Sequence, residues 1–594
     1  MQLNALDWTV MAVAFAIYLA IGLFVGKSAG KDFDHYFLSG RSMPWWLLGT
    51  SMVATTFATD TPNLVAGIVR RDGVFGNWVW WAFLLTGTTT VFLYAKLWRR
   101  SDVLTDVEFY ELRYSGKPAA FLRGFRAVYL GLFFNVVIMA NVTLAAIKIG
   151  GIMLGLTPLQ TITLAAGVTV AYSMVGGLTG VLLTDLVQFI IAMVGSVWAA
   201  IYVCGLPQVG GLGKVLAHPN VAGKLSLIPD FQTVSPDLIL TVFLMPLLVQ
   251  WWSAYYPGAE PGGGGYVVQR ILAARDERHA AGATLLFNLM HYALRPWPWI
   301  VVALCSLVVF PDLASLRQAF PRLDPRIVQE DLAYPAMLTF LPPGLLGIVV
   351  TSLIAAYMST MSTQVNWGSS VLVNDVYRRF WRPAASQGEL VWVGRLGTLG
   401  LMAVSCVIAL VMQDAVSNFE LMLQIGAGTG LLLLLRWFWW RINAAAEITA
   451  MCVSFGVAVI LKLGPPTGLP GWQQMLLGVG LTTVSWMVVA WITPATDATC
   501  LREFYRRIQP GGPGWNRVLA EARAEGVELP TSGARSDLPA ALAASVAATL
   551  GIWALIFAGG LAVYGRWPLA AACATWAAVC AAVVGANWKR LQWR

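Results

Sequence analysis

The chain is 594 residues long, with 58% hydrophobic and only 12% charged residues. A soluble domain carries about 25% charged residues, so this composition excludes an ordinary water-soluble fold. The net charge of +9 does not mark a nucleic-acid surface, because the basic residues are spread over loops between apolar stretches, as membrane topology requires.

Apolar stretches of about 20 residues, long enough to cross a bilayer, are predicted at 7–26, 44–69, 76–97, 120–155, 158–176, 180–205, 236–256, 280–310, 344–377, 390–413, 416–440, 444–463, 472–494, 541–563 and 567–587. The first lacks a basic leader and a clear cleavage site, and reads as a retained span rather than a signal peptide. With the N-terminus outside, about 27 of the 39 lysines and arginines face the cytoplasm and about nine face outward, and the opposite orientation inverts that ratio. The seven cysteines, at 204, 305, 406, 452, 500, 573 and 580, are scattered with no Cys-x-x-Cys, so neither a metal site nor a disulfide framework is read.

Two spans are interrupted. In the first, Thr55-Thr56-Phe57-Ala58-Thr59-Asp60-Thr61-Pro62-Asn63 places an acid and a proline at mid-depth. Pro62 lacks a backbone donor and disfavours helix at Thr61. A mid-membrane acid costs at least ~2.5–3.5 kcal/mol. In the second, the run from Tyr255 to Gly265 after Trp251-Trp252-Ser253 is too rich in Gly and Pro to continue a helix. Counted from residue 44, these are the first and sixth spans. Breaks at corresponding positions of two halves point to a five-plus-five inverted-repeat transporter.

A third feature is the run Ala356-Tyr357-Met358-Ser359-Thr360-Met361-Ser362-Thr363. Its four hydroxyls stand at i, i+1, i+3 and i+4, and so cluster on one side of a helix. Inward-facing oxygens suit a hard cation, but they also serve helix packing or bond back to their own backbone.

Several motifs in order carry a family resemblance. Residues 347–379, with Ala355-Ala356-Tyr357-Met358-Ser359-Thr360 and Asn374-Asp375-Val376-Tyr377, resemble the eighth core helix of the sodium:solute symporter family. Gly49-Thr50-Ser51-Met52-Val53-Ala54 resembles its first. Val175-Gly176-Gly177-Leu178 with Thr184-Asp185-Leu186-Val187-Gln188 resembles the start of its fifth, and Thr105 to Tyr114 the cytoplasmic motif after its second. The resemblance covers about residues 7–440. It implies an all-α polytopic membrane protein with a LeuT-like five-plus-five inverted repeat, broken first and sixth core helices, and about 14–15 transmembrane helices.

The implied organisation is an extra N-terminal helix and loop (1–42), a first repeat (43–205), an external loop (206–235), a second repeat (236–440), additional helices (441–494), a cytoplasmic loop (495–540) and C-terminal helices with a tail (541–594). The family's main sodium site maps onto the carbonyls of Ala54, Phe57 and Ala356 and the hydroxyls of Ser359 and Thr360. A second sodium site, present in some members, maps onto Asp185, Ser362 and Thr363. The solute pocket is expected at the two breaks, among Thr56, Asp60, Thr61, Trp80, Trp81, Trp251 and Trp252, with Gln424 on the tenth span matching a glutamine of sugar-transporting relatives.

Carboxylate, amide, hydroxyl and indole groups suit a sugar, while Asp60 with tryptophans would also suit a cation. Lys148 and Arg295 are further charges inside apolar spans. Trp80 stands where one bacterial relative has a sugar-contacting glutamate, which weakens a simple hexose assignment; the Gly/Pro-rich stretch at 255–265 lacks a counterpart and could reshape the pocket or its inner gate. The implied activity is sodium-coupled symport of a small polar solute by alternating access, sugar favoured, with an amine, amino acid or carboxylate as alternatives. Expected partners are sodium, the solute and the bilayer of a bacterial inner membrane, with the chain monomeric and no cofactor. An enzyme is disfavoured, since the four histidines (35, 218, 279, 291) are far apart in sequence; a transporter-like sensor is the remaining alternative.

Overall fold

The computed structural model describes residues 3–253, 260–321, 328–412, 426, 428–464, 467–530 and 537–594. Among these, every regular element is helical. The one β contact is an isolated bridge in which Met43 N–H donates to Ala273 O (3.1 Å) and Arg275 N–H donates to Met43 O (3.2 Å).

Eleven of the described helices are long and apolar enough to cross a membrane, and the difference from the expected count has identifiable causes. Pro158–Cys204 is a single 47-residue element that contains two predicted spans. Its start is set by Thr157, which accepts the Gln160 N–H while Gln160 Oε1 accepts the Thr157 N–H, with Pro158 at the first helical position. Straight, 47 residues would extend about 70 Å, over twice the ~30 Å of bilayer hydrocarbon. The chain turns at Gly177, whose φ of 52° and ψ of −156° suit a residue without a side chain. Tyr172 before the turn donates to Met358 O (3.2 Å), and Asp185 after it accepts from Ser359 (2.7 Å). Residues on either side of the glycine thus reach adjacent positions of one helix, so the element is a hairpin.

The first core helix is divided into Trp45–Thr55 and Thr61–Asp72. The sixth is divided into Pro236–Leu248 and Gly265–Ala273. Each half is too short to span alone. Residues 416–425 and 427 of the stretch predicted at 416–440, Gln424 among them, lie outside the described residues.

Leu345–Trp381 is the innermost long helix. In its most apolar window 89% of residues are buried, against 22% for Ala5–Val25 and 17% for Trp567–Trp588. The peripheral helices therefore keep apolar faces for lipid, while the eighth core helix is enclosed by protein. Asp7, on the N-terminal helix, caps the eighth core helix by accepting the N–H groups of Gly344 (2.7 Å) and Gly347 (2.8 Å). The approach demands glycine, since a Cβ on Gly347 would fall 2.6 Å from Asp7 Cα.

Candidate functional site

The first core helix unwinds over residues 56–60, directly beside the hydroxyl run of the eighth. Phe57 N–H turns back onto Ala54 O (3.0 Å), and Thr61 N–H onto Ala58 O (3.2 Å). Thr360 Oγ1 lies 2.8 Å from Thr55 O and 3.1 Å from Ala356 O, so one hydroxyl joins the end of the first half-helix to the eighth. The carbonyl it reaches is that of Thr55, between the two predicted ones; the Ala54 carbonyl accepts the Phe57 N–H.

Asp185 is fully buried and accepts from Ser359 Oγ (2.7 Å) and Ser51 Oγ (2.5 Å). Sequence reasoning grouped Asp185 with Ser362 and Thr363. In the structure Ser362 Oγ instead donates to Ser359 O on its own helix (3.0 Å), and Thr363 Oγ1 contacts Thr55 Oγ1 (3.0 Å) and accepts from Arg270 Nη2 (2.7 Å). Arg270, on the half-helix Gly265–Ala273 of the sixth helix, also donates through Nε to Ser51 Oγ (3.3 Å) and stands 3.8 Å from Asp185 Oδ2. Sequence reading used Arg270 only to set orientation. A buried arginine two turns into a half-helix needs an anionic partner, and that need was the available signal for its pairing.

A cavity opens between the two broken helices and the helices Val74–Ser101 and Glu277–Val309, the second and seventh of the core. Of the predicted pocket residues, Thr56 and Trp80 line it. Trp80 donates Nε1–H to Asn77 Oδ1 (2.9 Å) and stacks on Tyr292 at 5.7 Å and 19°, which covers one face of its ring. Trp81 is fully buried against Trp78 and Trp80. Trp251 and Trp252 sit in the turn Gln250–Trp252, where the Trp251 carbonyl accepts from Thr86 Oγ1. Asp60 is exposed at the start of the half-helix Thr61–Asp72, beside Thr61. None of Asp60, Thr61, Trp81, Trp251 and Trp252 lines the cavity.

Arg295 is buried, donates from Nη1 to Thr56 Oγ1 (2.9 Å), and lies over the Trp299 ring at 5.2 Å. It braces the unwound turn instead of facing lipid. His291 Nδ1 meets the same Thr56 hydroxyl at 3.0 Å. Thr284, Asn288 and His291 line the cavity but were missed. Their spacing with Arg295, at i, i+4, i+7 and i+11, marks one polar stripe on an otherwise apolar helix and was legible as such.

Among the described residues, broken first and sixth core helices beside an internal cavity are the arrangement of a membrane transporter. A sequence model of the sodium:solute symporter family matches residues 36–454, and the chain belongs to that family. It is similar to the sodium/glucose cotransporter of Vibrio parahaemolyticus, at 26% identity over 83% of this chain and 91% of that one. It is also similar to the sodium/myo-inositol cotransporter of Mus musculus, at 29% identity over 68% of this chain and 58% of that one. Among solved structures, a substrate-bound, outward-open sodium-coupled sialic acid symporter superposes with a TM-score of 0.67 at 20% identity, covering 83% of this chain and 99% of that one. The fold is accordingly the LeuT-like, all-α arrangement of these symporters, and the chain is a multi-pass, sodium-coupled secondary transporter.

Proposed function

We propose that the solute is a sugar or sugar derivative, imported across the cell membrane by a monomer whose N-terminus faces outward. Sodium is held where the first helix breaks against the eighth, by the carbonyls of Ala54, Phe57 and Ala356 with the hydroxyls of Ser359 and Thr360. The observation that carries this reading is the Thr360 hydroxyl lying 2.8 Å from Thr55 O and 3.1 Å from Ala356 O. An ion inserted there replaces bonds the two helices already make to each other, so it tightens an existing contact. The relatives' cargoes, glucose and myo-inositol, favour a polyol here.

The cycle follows from linkage. Sodium bound from outside pins the broken turn, which also carries Thr56 at the cavity wall. Sodium and solute must therefore raise each other's affinity by the same factor. Asp185 touches Ser359 directly and so orients a sodium ligand whether or not a second ion binds.

The test is uptake into proteoliposomes. Ser359→Ala and Thr360→Ala are each expected to raise the sodium concentration for half-maximal uptake by about tenfold, the worth of one charge-assisted contact. Unchanged sodium dependence in both variants would remove the site assignment. Solute binding without sodium-driven uptake would indicate a sensor.

A further inference from the structure

The threonines that line the cavity between the core helices have their protons committed elsewhere, Thr56 Oγ1 to Val53 O (2.9 Å) among them. Thr86 Oγ1 donates to the Trp251 carbonyl, Thr90 Oγ1 to Thr86 O (2.8 Å) and Thr284 Oγ1 to Ala280 O (2.9 Å). Each hydroxyl has one proton and two lone pairs, so what these threonines offer a ligand is acceptor capacity. Glu260, also at the wall, is a carboxylate paired through Oε1 with Arg126 Nη2 (2.5 Å). Arg126 and Arg295 do not line the cavity themselves.

Asn288 completes the pattern. It is fully buried and lines the cavity, and its Nδ2 donates to Thr284 O at 2.7 Å. That bond fixes which end of the amide is which, leaving Oδ1 as the acceptor. Among the described residues Oδ1 has no hydrogen-bond partner. A buried acceptor left unmatched is destabilising, and such groups in a ligand cavity are matched when the ligand arrives. Gly87 makes the placement possible, because a Cβ there would fall 1.7 Å from Asn288 Oδ1.

Building on the polyol reading above, we propose that Asn288 is a specificity-determining solute contact: its Oδ1 accepts a hydroxyl of a neutral polyol, in a cavity of acceptors that rejects carboxylate solutes. A carboxylate brings only lone pairs to a wall that already presents them, whereas a polyol supplies the missing donors.

Two measurements on the full-length protein in proteoliposomes test this. First, D-glucose, myo-inositol and N-acetylneuraminate are compared by sodium-dependent thermal shift and uptake. The neutral polyols are expected to bind and the carboxylate to fail. Preference for N-acetylneuraminate, or for a solute without hydroxyl donors, would overturn the proposal. Polyol binding that ignores sodium would count against the sodium coupling above while leaving Asn288 standing. Second, the bound polyol is compared with its deoxy analogues in wild type, Asn288→Leu and Asn288→Asp. One deoxy analogue is expected to bind wild type about tenfold more weakly than its parent, and that difference is expected to vanish in Asn288→Leu. A protonated aspartate keeps both the donor to Thr284 O and the carbonyl, so Asn288→Asp is expected to restore most of the discrimination. Identical analogue ratios in wild type and Asn288→Leu would reduce Asn288 to packing against Gly87 and overturn the assignment.

Discussion

The two broken helices are held in different ways. The first is interrupted for only a few residues and is secured mostly by hydroxyls: Thr360 on Thr55 O, then Arg295 and His291 on Thr56 Oγ1. The described part of the sixth break, from residue 260 onward, is held by ionised groups and indoles. Arg126 pairs with Glu260, Trp98 Nε1–H donates to Gly262 O (2.7 Å), and Asp106 accepts the Gly265 N–H (2.7 Å) and the Trp367 Nε1–H (3.1 Å). Burial raises the Asp106 carboxyl above the usual range, with the Trp367 and Gly265 donors opposing it. Hydroxyl contacts are individually modest and exchange readily with an arriving ion. Buried charge pairs are costly to open from one side. The first break is thus held by contacts that are easier to exchange than those of the sixth.

Substitutions can break or sharpen this contrast. Arg126→Leu leaves Glu260 buried without its counter-ion and is expected to cost about 3–5 kcal/mol, seen as a lowered unfolding temperature of purified protein. The double variant Arg126→Leu with Glu260→Leu is expected to recover most of that loss. At the first break, Thr56→Val strands the Arg295 and His291 contacts and is expected to cost about 1.5–3 kcal/mol, with a larger fractional effect on solute KM than on stability. Gly49→Ala places a Cβ 2.7 Å from Ala283 O; crowding the first helix against the seventh is expected to cost about 1–3 kcal/mol and to slow uptake.

The smallest effect concerns pH. Glu111, on the short helix Phe109–Arg113 between two spans, is held below the usual carboxylate range chiefly by its hydrogen bond to Arg379 and also by Arg123. A depressed carboxyl stabilises the fold above its unfolded value, and that contribution is lost as pH falls through the lower folded value. The pH dependence of unfolding below about pH 4 is therefore expected to flatten slightly in Glu111→Gln, by less than about 1 kcal/mol because the pair is partly solvated.

Much of the architecture was legible in the sequence because membrane insertion forces it into hydropathy. Pro62, the Gly/Pro-rich stretch before Val268 and the Gly176-Gly177 pair announce breaks or turns for local backbone reasons. What the sequence concealed was pairing across helices. Nothing in the run 359–363 tells that Ser359 turns to Asp185 while Ser362 bonds its own backbone; that is fixed by the rotation of one helix against two others. Arg270 reads as a cytoplasmic charge until the half-helix carrying it is seen to enter between Ser51, Asp185 and Thr363. The tryptophans misled for a related reason. Indole is equally at home in a wall, a core or a membrane interface, and only Trp80 of those singled out borders the cavity.

The isolated bridge between Met43 and Ala274 has a mechanical meaning. Met43 precedes the half-helix Trp45–Thr55 and Ala274 follows the half-helix Gly265–Ala273, and two backbone hydrogen bonds couple them at the same level. The two half-helices are thereby yoked at one end, like two oars sharing one rowlock. A displacement of the half-helix Trp45–Thr55 is handed across that yoke to the helix carrying Arg270, without passing through the cavity.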